Sequence, residues 1–157
     1  MGVGFTYHCN ECGQDYIANI GAGFFYPQAC EEALASVKAG KFGEKLKTAA
    51  LSEKHTGCAP EAKIYKCEDC GCWDVFDDVS VYGWADKKRD IEISNIALWT
   101  EDAKDYSLIE RFIPKCEKCG GDMHAIDVDE DCGAAPQLNC NKCGSPLVEQ
   151  PEMISWD

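Results

Sequence analysis

The sequence predicts an α+β fold of small antiparallel sheets arranged as two modules, the first enlarged by a helical insertion. Three observations support this. The pattern Cys-x-x-Cys-Gly occurs four times, at Cys9/Cys12/Gly13, Cys67/Cys70/Gly71, Cys116/Cys119/Gly120 and Cys140/Cys143/Gly144. Short runs with apolar residues alternating at period two flank these knuckles, as half-buried strands require. One stretch alone, at about 28–54, repeats its apolar residues at helical spacing. The expected division is a first module over 1–84, a connecting segment over 85–106 and a second module over 107–157.

In chain order, Phe5 to Tyr7 reads as a strand entering the first knuckle, and Tyr16 with Ile17 as the strand leaving it. Gly21 to Pro27 is a glycine and aromatic loop, and Pro27 suits the first turn of a helix, where its missing N–H costs nothing. From Gln28 to Ala39, Cys30, Ala33, Leu34 and Val37 fall on one helical face, and Gly40 supplies the stop. Phe42, Leu46, Ala49 and Ala50 predict a second helix from about Gly43 to Lys54. From Ala62 the period changes. Ile64 and Tyr65 lead into the second knuckle, and Trp73, Val75, Val79 and Val81 alternate after it, with a turn or bulge at Asp77 and Asp78. Gly83 to Asp90 is a polar turn, after which Ile91 and Ile93 alternate again as a strand. Leu108, Ile109, Phe112 and Ile113 fit an edge strand or a helical turn. Phe112 to Val148 then reads as strand, knuckle, strand (Met123 to Val128), acidic loop, knuckle and strand.

Two thiolates three positions apart grip one metal ion from a tight turn, and a Gly just after the second relieves the backbone there. Four such half-sites make two tetrahedral four-cysteine sites, so the expected metal ligands are Cys9, Cys12, Cys67, Cys70, Cys116, Cys119, Cys140 and Cys143. Consecutive pairing, first knuckle with second and third with fourth, keeps each module local. Loop-closure entropy separates the alternatives by only ~1 kcal/mol, so crossed pairing stays open. A disulfide framework has no need of the regular spacing, and MGVGFTYHCNEC lacks the basic region and apolar run of a secretory signal. A reducing cytoplasm is the expected compartment. No apolar run approaches the roughly 18 residues of a spanning helix.

KCEKCGG and NCNKCGS, around Cys116/Cys119 and Cys140/Cys143, resemble a zinc ribbon, in which two knuckles on hairpins share one metal. HCNECGQDY and KCEDCGC, around Cys9/Cys12 and Cys67/Cys70, resemble a second, rubredoxin-like ribbon enlarged by residues 13–66. The whole is similar to small bacterial two-ribbon proteins of unknown function. The resemblance implies metal and fold type but does not select a function. Zinc, redox-silent, suits two structural sites, with two ions bound; iron in the same four sulfurs is the alternative and makes a rubredoxin-type electron carrier.

With 15 Lys plus Arg against 28 Asp plus Glu, the formal charge is −13, and two four-thiolate sites around divalent ions bring it to about −17. Such a field repels phosphate backbones, so a nucleic-acid-binding ribbon ranks below a non-catalytic protein-interaction or regulatory module. Lys87, Lys88 and Arg89 are largely cancelled by Asp86 and Asp90. The aromatics Phe24, Phe25, Tyr26, Trp73, Trp84 and Trp99 read as core and as a protein interface. Of the remaining cysteines, Cys30 packs on its helix face, Cys72 packs beside the second knuckle, and a third site from Cys30, Cys58 and His55 is disfavoured. Cys132 falls in the acidic loop. There Asp127, Asp129 and Asp131 imitate a calcium loop, but Cys132 and Leu138 stand where Gly and Glu are required. His8, His55 and His124 carry no local catalytic signature, and no thioredoxin-like βαβ pattern accompanies the dithiols, so no catalytic residue is assigned.

Overall fold

A computed structural model describes residues 2–23, 26–98, 100–128 and 135–156, with backbone alone over 151–156. Its elements in order are β1 (Gly2–His8), β2 (Asp15–Gly21), α1 (Tyr26–Lys38), α2 (Glu44–Ser52), β3 (Thr56–Cys58), β4 (Ala62–Cys67), β5 (Trp73–Asp77), β6 (Val81–Trp84), a 3-10 turn (Glu101–Asp105), β7 (Tyr106–Glu110), β8 (Met123–Ala125) and β9 (Val148–Trp156). The class is α+β, as expected. The chain forms two compact units, each assembled from separated segments: residues 1–23, 62–76 and 113–157 in one, 24–61 and 77–112 in the other. The consecutive division at 84 and 106 cuts across both.

The first unit is built on a sheet of order β5-β4-β2-β1-β9, with β8 pairing β4. β1 and β2 form the expected hairpin around the first knuckle, in register from Gly2↔Gly21 to His8↔Asp15. The other edge of β1 is taken by β9, antiparallel, from His8↔Val148 to Gly2↔Trp156. This long-range pairing lies outside the sequence expectation of two local ribbons. The register shifts between Gly4 and Thr6, opposite the stretch of β9 that holds Pro151, whose nitrogen carries no N–H to give to a ladder. β4 meets β2 only at Ala62↔Gly21 and pairs β8 along Tyr65–Cys67. The third and fourth knuckles sit on minimal hairpins, each closed by one bridge, Lys115↔Asp122 and Asn139↔Pro146. The strand expected at Phe112 and Ile113 is therefore absent, and the one expected over Met123 to Val128 is shorter.

Alternation places Phe5, Tyr7, Ala18, Ile20 and Ile64 on one face, where they bury against Trp73, Leu138 and Leu147. Tyr7 meets Trp73 edge-on at 5.9 Å between ring centres, and Tyr16 leans on the same indole at 5.5 Å. Cys9 and Cys140 belong to this cluster, so one pair of knuckles is continuous with the core.

The second unit combines a three-stranded sheet, β3-β6-β7, with the two expected helices. α1 begins at Tyr26, with Pro27 in its first turn, and ends before Gly40, whose φ of 84° lets Lys41 N–H return to the Ser36 carbonyl at 3.1 Å. Cys30 and Val37 on α1 and Leu46, Ala49 and Ala50 on α2 face inward. β3 is unforeseen in the sequence because Thr56-Gly57-Cys58 is too short to show a period. Its central Gly57 admits Ile93 and Ile96, which a Cβ there would meet at 2.7 and 2.9 Å.

The strand expected at Ile91 and Ile93 is not formed, a correction with a clear cause. Ile91 is exposed while Ile93 and Ile96 are buried with Ala59 and Trp84, a spacing no strand satisfies. The backbone is served by side chains instead of a neighbouring strand: Trp84 Nε1 donates to the Ile91 carbonyl at 2.7 Å, and the Tyr26 hydroxyl to that of Ile96 at 2.6 Å. The segment 85–106 thus contributes to a core rather than connecting two modules. Arg89 lies over the Trp84 ring at 3.7 Å and pairs with Asp105 at 2.8 Å, so it is committed within its own unit.

Candidate metal centres

All four knuckles repeat one backbone device. The N–H of the first cysteine donates five residues ahead, Cys9 to Gln14, Cys67 to Cys72, Cys116 to Gly121 and Cys140 to Ser145, at 2.8–2.9 Å. The glycine N–H donates back to the carbonyl of the first cysteine, at 2.8–3.0 Å. Gly13, Gly71, Gly120 and Gly144 stand at φ of 69°, 72°, 76° and 80°, the left-handed region where a Cβ is penalised. The Cys-x-x-Cys-Gly pattern therefore encodes the turn that turns both sulfurs to one side.

The structure gathers the eight cysteines into two groups, Cys9, Cys12, Cys140 and Cys143, and Cys67, Cys70, Cys116 and Cys119, with the sulfurs of each group all within 4.8 Å of one another. The consecutive pairing is corrected: the first knuckle joins the fourth and the second joins the third. The physical reason is the β1–β9 ladder, which carries the end of the fourth knuckle to the first, and the β4–β8 ladder, which does the same for the inner two.

Within each group the buried first cysteine of one knuckle faces the more exposed second cysteine of the other. The Sγ–Sγ distances are 3.4 Å for Cys9–Cys143, 3.5 Å for Cys12–Cys140, 3.4 Å for Cys67–Cys119 and 3.6 Å for Cys70–Cys116. These are far beyond a disulfide bond and close to the ~3.8 Å edge of a tetrahedron with metal–sulfur bonds of about 2.3 Å. The donor set, four soft sulfurs with no oxygen or nitrogen among them, is compatible with zinc-ribbon-like sites.

Crowding divides the thiols within each group, drawing some down and pushing others up. Burial raises the Cys140 thiol, but the Tyr16 hydroxyl and the N–H groups of Cys143 and Lys142 reverse this and bring it down to about 6. The Tyr16 oxygen is 3.2 Å from that sulfur. For Cys12 the Gln14 N–H pulls downward, yet burial and the thiols of Cys140, Cys9 and Cys143 push it up to about 12. The other group splits alike. The N–H of Cys119, against burial, lowers Cys116 to about 7, while the sulfurs of Cys67 and Cys70 overcome the Gly121 N–H and raise Cys119 to about 12. Four sulfurs this close do not all ionise by themselves; a divalent cation makes that possible.

Residues other than the cysteines organise the first group. Asn141, inside the fourth knuckle, accepts the Trp73 N–H at 3.0 Å and donates to the Trp73 carbonyl at 2.7 Å, and Trp73 Nε1 donates to the Asn139 carbonyl at 2.9 Å. Trp73 follows the second knuckle, so these bonds join the two groups. Neither Tyr16 nor Asn141 carries a sequence signal for this role beyond its closeness to a knuckle.

The other candidates fall elsewhere. His8, His55 and His124 each meet a carboxylate, Asp15 at 2.6 Å, Asp90 at 2.6 Å and Glu68 at 3.8 Å. Cys30 and Cys58 are buried, and burial first, then Cys30 and Asp78, pushes Cys58 up to about 12. Phe24, Phe25, Trp99, Asp129, Asp131 and Cys132 lie outside the described residues. No helix among the described residues is long and apolar enough to cross a membrane. No protein-family model, curated protein or solved structure matches the chain.

Proposed function

We propose that the chain is a non-catalytic zinc-binding protein in which two zinc ions, one in each four-cysteine group, hold the first unit together and the remaining surface serves a protein partner in a reducing, cytoplasmic setting. The observation that carries this reading is the crossed pairing of four identical knuckles into two all-sulfur groups of tetrahedral spacing. Zinc supplies no redox chemistry; it accepts four thiolates and adds to the small apolar core of the sheet. Cys9 and Cys140 bring one site into the apolar cluster, and Asn141 transmits that anchoring to the other. The formal charge of −13 favours a protein partner over a nucleic acid.

Elemental analysis of the purified chain with its visible spectrum tests this. Near two zinc per chain without colour is the expected result. Iron with a reversible red colour replaces it with the electron-carrier reading, and a folded chain free of metal refutes both.

A further inference from the structure

The two four-cysteine groups sit in unlike surroundings. In the first, Cys9 and Cys140 are 0% and 2% exposed within the apolar cluster of Phe5, Tyr7 and Leu138, and Cys12 packs against the same cluster. The Tyr16 hydroxyl reaches Cys140 Sγ, and Asn141 locks the knuckle to Trp73. Cys143 alone is exposed. In the second, Cys70 and Cys119 are both exposed, and a cleft of about 160 Å³ lined by Cys72, Phe76 and Met123 opens at Cys116. Glu68, Asp69, Glu117 and Lys118 in the second group carry a net −2 that Lys66 and Lys115 at its edges cancel, and Asn10, Glu11, Asn141 and Lys142 leave the first balanced as well.

We propose that the Cys67/Cys70/Cys116/Cys119 group is a metal-exchange centre, which takes up a divalent cation from solution and yields it to a small chelating acceptor, while the Cys9/Cys12/Cys140/Cys143 group is a permanent clamp. This rests on reading both groups as metal sites. The exchange is a ligand substitution. Donor atoms of the acceptor give lone pairs to the cation as its four sulfurs leave in turn, each with its own pair and the exposed Cys70 or Cys119 first; each freed thiolate takes a proton from solvent, and no atom changes oxidation state. Steps of this kind need an open face, which the first group lacks on the side of Cys12. Tyr16 is a positioning residue there, holding Cys140 through its hydroxyl.

The test uses the full chain loaded with two zinc ions, mixed with the chromogenic chelator 4-(2-pyridylazo)resorcinol and sampled by pulse alkylation with N-ethylmaleimide and peptide mapping. Two phases of one equivalent each are expected, separated by about tenfold or more in rate, with Cys67, Cys70, Cys116 and Cys119 alkylated in the fast one. Tyr16→Phe should speed the slow phase by about tenfold and leave the fast one unchanged, in line with the effect of removing an outer hydrogen bond from a metal ligand. A single phase, alkylation of Cys9 and Cys12 in the fast phase, or a Tyr16→Phe chain whose fast phase changes instead overturns the proposal. A chain that takes up far less than two equivalents of zinc overturns the metal reading itself, before any phase is measured.

Discussion

Asn141→Ala isolates the tie between the two four-cysteine groups. Its side chain makes two hydrogen bonds to the half-buried backbone of Trp73, at 3.0 and 2.7 Å. Each such bond contributes about 1 kcal/mol net, and a desolvated N–H or carbonyl left without a partner costs about 1–3 kcal/mol. Trp73 is 5% exposed, so water cannot fully replace the amide, and the loss should be about 2–4 kcal/mol. Asn10 provides a matched control, since it occupies the same position in the first knuckle and is exposed; Asn10→Ala should stay within about 0.5 kcal/mol of the parent. Urea unfolding of the zinc-loaded chains at one fixed free zinc concentration measures both, because bound metal adds to apparent stability by mass action. An Asn141→Ala chain as stable as Asn10→Ala refutes the reasoning, and with it the idea that the fourth knuckle braces the strand after the second.

Gly121→Ala should weaken the inner four-cysteine group selectively. A Cβ there would stand 3.2 Å from Cys67 Sγ and 3.0 Å from Asp69 Cγ; Asp69 is exposed and turns aside, but the sulfur is held by its knuckle, so a penalty of about 1–3 kcal/mol falls on that site. Competition titration should show one of two zinc affinities reduced, and an equal loss at both would contradict it. In the second unit, Ile96→Ala removes a fully buried side chain and should cost about 2–5 kcal/mol in denaturant unfolding; a change under about 1 kcal/mol would deny the segment its place in the core. Alkaline pH should unfold the second unit. Burial, then Asp78, raises the Tyr82 hydroxyl to about 12, and burial raises that of Tyr26 as well. A folded-state pKa above the unfolded one gives a contribution that is complete below about 10 and lost as pH rises through about 12. Tyrosinate absorbance and circular dichroism should change together over that window, and tyrosinate forming near 10 with structure intact would be the contrary result.

The cysteine knuckles were legible because their chemistry is local: Cys-x-x-Cys-Gly specifies a turn, a positive φ and two sulfurs within five residues. The helices were legible for the same reason, their apolar spacing and Gly40 lying inside one window. The partner of each knuckle was not. Consecutive and crossed pairings differ little in loop entropy, and the choice is made by Val148–Trp156 finding the free edge of β1, a match between strands at opposite ends of the sequence. Ile91 and Ile93 misled because alternation over three residues also fits an irregular segment whose carbonyls are capped by Trp84 and Tyr26. Tyr16 and Asn141 are ordinary polar residues in sequence and acquire their roles only when the fourth knuckle closes on the first.

The nested pairing sets an order on assembly during synthesis. A chain emerging from its N-terminus has all four sulfurs of the inner group once Cys119 is out, but Cys9 and Cys12 wait for Cys140 and Cys143. At roughly 5–20 residues per second, the wait from Cys12 to Cys143 is on the order of ten seconds, and only in its last part, after Cys119, does the earliest dithiol stand open beside a completed neighbour. β9, which follows the fourth knuckle in the chain, is also the strand that seats it, so the outer clamp closes only when the sheet does.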